Sequence, residues 1–163
     1  MTSDYIKMCV ANYFRYTRQC PIIALEYWHS SEGVNQPAVL AVDKKQRLTE
    51  IEVKVSVSDF KEDAKKHIWY FRGKGMRWPW KFYYAVPESI EDKVKPLLRK
   101  DCGLLRIGEG NSYYRPHDAV SVAVTALKHS ECETVSDIKM NRLIAAQSAS
   151  LCCALRKLGR GSE

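Results

Sequence analysis

Long hydrophobic runs are missing from this sequence: no stretch of about 18 apolar residues occurs, which leaves no segment fit to cross a membrane as a helix. Metal-ligand cysteine spacing is missing too. The six cysteines, Cys9, Cys20, Cys102, Cys132, Cys152 and Cys153, form no CxxC pair and have no paired histidines beside them, which argues against a zinc site. The start, Met1-Thr2-Ser3-Asp4, lacks the basic-then-apolar pattern of a secretory signal. Reduced thiols and a cytoplasmic location are therefore expected. Acidic residues are in short supply, 19 against 26 lysines and arginines, for a net charge of +7. Such an excess suits an anionic partner, and a polyphosphate is the simplest. Internal repeats and low-complexity tracts are absent.

What is present is enough apolar residue, 45% of 163, for one domain with a real core. The chain organises itself around residues 37 to 54. Val39, Leu40, Val42, Leu48, Ile51 and Val53 favour strands, and residues 43 to 47 form the polar cluster between them. A turn centred near Lys45 makes opposed residues sum to about 90 in number, which sets position 38 against Glu52. Side chains alternate along a strand, so Glu52 and Lys54 share a face. An acid at 38 would join them in a site for a hard divalent cation, with the lysine orienting a nucleophile. Position 38 is Ala, which has no oxygen to offer. Asp43 is no substitute, because it lies about 16 Å along the strand from the Glu52 level at roughly 3.3 Å per residue.

Pro37-Ala38, then strand, turn and strand carrying Glu52-Val53-Lys54, resembles the PD-(D/E)XK nuclease signature with its first Asp replaced by Ala38. Ser56-Val57-Ser58-Asp59-Phe60 and Tyr84-Ala85-Val86-Pro87 are similar to the MmcB-like DNA-repair branch of that superfamily, and the likeness covers about residues 20 to 110. The resemblance implies an α/β, restriction-endonuclease-like core: a mixed central sheet flanked by helices in the order αβββαβ, plus a C-terminal helix. It implies one nuclease-like domain over 1–163, with the core at about 4–110 and a C-terminal helical extension at about 111–158. It further implies a DNA phosphodiester hydrolase using Mg²⁺ or Mn²⁺, silenced here by Ala38, with RNA left open as substrate. Glu52, the Val53 carbonyl, Glu26 and an acid at 38 would hold the metal, and Lys54 would position the water. The otherwise intact site favours an Asp changed to Ala over a chain that never had one. The rival reading is a non-catalytic nucleic-acid-binding or protein-interaction module on the same scaffold.

The remaining chain fits this frame. Residues 4 to 18 read as a helix with a packing face through Tyr5, Met8, Cys9, Asn12, Tyr13 and Tyr16, capped by Ser3 or Asp4. Arg15 and Arg18 lie off that face, where phosphate contact is the minority reading. Residues 22 to 28 read as a strand containing Glu26. Ser58 is expected to cap a helix over 59 to 69 that carries Lys61, Lys65 and Lys66, a stripe placed to meet a phosphate backbone. In residues 69 to 81, Arg72, Lys74, Arg77 and Trp78 interleave charge and rings, as base-stacking segments do, though the tryptophans equally suit a core edge. Strand 82 to 86, helix 88 to 100 and strand 103 to 107 imply a parallel crossover. His117 and Asp118 sit in a loop context. A helix over 137 to 158 packs on the core or mediates a homodimer.

Overall fold

The computed structural model describes residues 1–27, 37–63, 65, 78–109, 115–130, 132 and 134–160, with backbone alone over 150–160. Helix α1, Ser3–Asn12, starts at Thr2, whose hydroxyl accepts a hydrogen bond from the Tyr5 N–H at 3.3 Å, so the cap precedes the Ser3 or Asp4 expected. It runs on as a π-helical turn, Tyr13–Thr17. Ile6, Cys9, Val10, Tyr13 and Phe14 recur at helical spacing and are buried.

Among the described residues six strands follow in one mixed sheet, in spatial order β1 to β6: β1 Ile22–Leu25, β2 Val39–Val42, β3 Leu48–Val53, β4 Lys81–Pro87, β5 Gly103–Ile107 and β6 Val120–Val124. The pairs β3–β4 and β4–β5 are parallel, and the others antiparallel. Helix α2, Val57–Asp63, begins the connection from β3 to β4. The segment after β4 breaks into a 3₁₀ turn Glu88–Ile90, helix α3 Glu91–Val94 and a 3₁₀ turn Lys95–Leu97, in place of the single helix the periodicity suggested. Pro96 explains the later break, since it has no N–H to continue the ladder. Helix α4, Asp137–Arg160, closes the chain. The order αβββαβ and the C-terminal helix are as expected.

The β2–β3 register pairs Val39 with Ile51 and Val42 with Leu48, both summing to 90. The turn holds that register because Asp43 Oδ1 accepts from the N–H groups of Lys45 (2.8 Å) and Arg47 (2.9 Å). Alternation sorts the side chains. Val39, Ala41, Ile51, Val53, Tyr83 and Ala85 pack under α1. Phe82, Tyr84, Val86 and Leu104 lie on the other face with Phe60 of α2 and Val94 of α3. Leu40, Val42 and Leu48 meet Leu143 of α4 on that second face. Ile138 and Ile144 of α4, 70% and 48% exposed, face away.

Three further expectations change. Strand β1 stops at Leu25, because Glu26 adopts φ 48° and turns the chain out of the ladder. Ser56, not Ser58, caps α2: its Oγ accepts from the Asp59 N–H at 3.1 Å. The region after residue 110 is more than a helical extension, since β6 completes the sheet against β5.

Gly103 shows how tightly β4 and β5 pack. A Cβ there would overlap the Tyr83 ring and come within 2.7 Å of the Ala126 nitrogen. Gly103→Ala should therefore cost about 1–3 kcal/mol, read as a lowered urea midpoint.

Candidate functional site

Strand β3 ends where α2 begins, and that junction gathers the charged groups. Glu52 lies beside Tyr84 in the parallel register, on the α2 face. Lys54 follows two residues later, its N–H donating to the Ala85 carbonyl at 3.0 Å. Both are buried, at 6% exposed each. Burying charge requires partners. Lys54 Nζ meets Asp63 Oδ1 at 2.8 Å and Asp59 Oδ1 at 3.5 Å. Asp59 and Asp63 are four apart on α2, so the helix presents both to one lysine. Asp63 is 1% exposed and also accepts the Tyr84 hydroxyl at 2.7 Å. Phe60 anchors the helix against Tyr84, with ring centroids 4.6 Å apart.

Burial works against the Lys54 ammonium, but the Asp63 hydrogen bond and the charges of Asp63, Glu52 and Asp59 outweigh it and hold the pKa above 10.5. Burial, with Asp63 and Glu52 nearby, also holds the Tyr84 phenol above its ordinary 10.0. Both groups keep their protons longer folded than unfolded, so stability falls as pH rises past about 10. A Tyr84→Phe variant should lose less stability between pH 9 and 11 than the unaltered chain, as followed by urea unfolding.

The other expected site residues separate. Residue 38 lies one step outside the β2–β3 ladder, which ends at the Val39–Ile51 pair, and the Glu26 N–H donates to the Ala38 carbonyl at 3.1 Å. Yet Ala38 sits at a bend and packs against the α1-side core, whereas Glu52 and Lys54 occupy the opposite face. The bend interrupts the alternation that predicted one shared pocket. Glu26 is half-exposed and pairs with Lys7 of α1, which removes it from the Glu52 side. The Val53 side chain packs in the α1-side core, as its alternation with Glu52 and Lys54 requires, and this does not bear on the carbonyl assigned to the metal. Trp78 stacks on His129, with ring centroids 4.5 Å apart, and packs against the core under α2, so it fills an edge rather than offering a platform for bases. Lys61 and Lys65 are exposed, and Lys65 pairs with Glu62 at 2.7 Å. Lys66, Arg72, Lys74 and Arg77 lie outside the described residues. His117 Nε2 and Asp118 Oδ1 are 3.6 Å apart.

A divalent ion needs several converging oxygens. Among the described residues no group of three or more His, Cys, Asp or Glu is placed to hold one. Asp59 and Asp63, which act on Lys54 together with Glu52, are both engaged with it. The residues present therefore do not fit a metal site without a further carboxylate. Asp63 and Asp59 are the residues that sequence reasoning missed, and their i, i+4 spacing after Glu-x-Lys was the available signal.

No family model matches the chain, and no curated protein matches it. A solved structure of a protein of unknown function from Silicibacter pomeroyi is similar, with a TM-score of 0.61, at 18% identity over 99% of this chain and 94% of that one. The likeness establishes the α/β fold with its mixed six-stranded sheet and C-terminal helix. No helix among the described residues is long and apolar enough to cross a membrane.

Proposed function

We propose that the chain is a nuclease-type domain that engages DNA, of the PD-(D/E)XK kind, with hydrolysis silent for want of a carboxylate at position 38. The observation that carries this is the buried Glu52–Lys54 pair at the end of β3, just past the Val39–Ile51 pair that Ala38 precedes. The net charge of +7 and the exposed Lys61 and Lys65 on and just after α2 support a phosphate-bearing partner. In this reading Lys54 is the ammonium facing the scissile phosphate and Glu52 the surviving acid. Asp63 sets the lysine's position and Tyr84 sets Asp63. The test is Mg²⁺- or Mn²⁺-dependent cleavage of DNA by Ala38→Asp, set beside the unaltered chain.

A second reading, DNA binding with no hydrolytic role, draws on the Lys54–Asp63 pair, which already neutralises the lysine within the fold. Both readings predict salt-sensitive DNA binding. About three phosphate contacts imply a loss of roughly 40-fold between 50 and 200 mM salt. Filter binding across that range measures it, and a flat response would count against both. Cleavage by Ala38→Asp separates them.

A further inference from the structure

On the α1 face, at the opposite end of β3 and β4 from Glu52 and Lys54, lies a second concavity. It has a volume of about 380 Å³, within the range of small-molecule sites. Three cations line it, Arg18, Arg47 and Lys81, and Lys128 adds its charge from nearby. Lys81 is 7% exposed, and among the described residues no carboxylate pairs with it or with Arg18. Burial, reinforced by Arg18, Lys128 and Arg47, pushes the Lys81 ammonium below its ordinary pKa of 10.5. Among the described residues Asp43 is the only acid on the wall, and it is committed to Arg47 at 2.6 Å. Cys20 supplies no thiolate, because burial raises it to about 11. Arg18 and Lys81 thus bring positive charge that no carboxylate among the described residues balances, and Lys81 meets the Trp80 ring at 4.7 Å from its centroid, so an anion would relieve the cost of burying it.

The walls add a second requirement. Tyr13, Phe14, Trp80 and Tyr83 line the cleft beside the cations. The Arg47 guanidinium lies 3.6 Å from the Trp80 ring centroid, and Asp43 fixes it from the side. Asp43 takes the Nε and Nη2 side of the guanidinium, so its Nη1 end is the part that would meet a phosphate oxygen.

We propose that this cleft binds a small phosphomonoester carrying a flat ring, of the size of a mononucleotide. The phosphate sits among Lys81, Arg18 and Arg47, and the ring lies against the aromatic wall. The site stands apart from the Glu52–Lys54 face and does not depend on the nuclease reading. Isothermal titration of the full chain with adenosine 5′-monophosphate, inorganic phosphate and adenosine tests it. The expected result is one saturable site for the monophosphate, with each of the other two at least about tenfold weaker, the loss of one charged anchor or of the stacking partner. Lys81→Met keeps the stem and removes the buried charge, so it should fold and bind the monophosphate at least about tenfold more weakly. Glu52→Gln should bind it unchanged. Absence of saturable binding, adenosine binding as tightly as its phosphate, or full affinity in folded Lys81→Met would overturn the proposal. Inorganic phosphate binding as well as the nucleotide would overturn the ring's part in it.

Discussion

Ala38→Asp should convert a chain with no metal-dependent cleavage into one that cuts DNA in Mg²⁺ or Mn²⁺, with the activity lost in chelator. The expectation rests on placement along the ladder. Position 38 is one step beyond the last β2–β3 pair, Val39 with Ile51, at the end of the ladder nearest Glu52. A methyl satisfied by the α1-side core can lean that way at no cost. A carboxylate cannot remain in that apolar contact without a partner. Residue 38 sits at a bend before β2, and a charged side chain there is expected to re-orient that bend toward Glu52. Adding Glu52→Gln to Ala38→Asp should lower the new activity by about 100-fold or more, the usual scale for removing one group that stabilises developing charge. Glu52→Gln is the better control than Lys54→Ala, which would leave Asp63 and Glu52 buried without their counter-charge. Cleavage that survives Glu52→Gln undiminished would place the chemistry elsewhere.

Asp63→Ala should cost about 3–5 kcal/mol of folding stability, the scale for stranding one member of a buried ion pair. Lys54, 6% exposed, would lose its closest counter-charge, and Tyr84 would lose the acceptor of its hydroxyl. Against the roughly 5–15 kcal/mol that holds a domain together, this is a large share. Lys54→Met combined with Asp63→Leu removes both charges at similar volume and should cost far less than Asp63→Ala alone. Urea unfolding of the three variants measures the difference. A loss under about 1 kcal/mol in Asp63→Ala would mean that Asp59 or solvent serves Lys54 equally well.

Much of the central hairpin was legible because its signals are local. A single polar cluster fixes the turn, Asp43 ties it, and the period-2 alternation then fixes the register as far as residue 39. Beyond that point the rule stopped working. Ala38 left the alternation at a bend, and Glu26 left β1 with a positive φ, both for reasons of chain path that alternation does not encode. Strand β6 carried a readable pattern, Val120-Ser121-Val122-Ala123-Val124, but the Tyr113-Tyr114-Arg115-Pro116 sequence before it suggested a loop. Lys81 gave no local signal. It looks like one more cation in a basic and aromatic segment, and only the approach of Arg18, Arg47 and Tyr83 in space makes it a buried, uncompensated charge.

The most direct measurement is a Mn²⁺ titration of folded Ala38→Asp beside the unaltered chain and the double variant with Glu52→Gln. If a carboxylate at 38 completes a site with Glu52, Ala38→Asp binds one ion that the unaltered chain does not, and the double variant binds it at least about tenfold more weakly. Equal and negligible uptake by all three folded proteins would contradict the account.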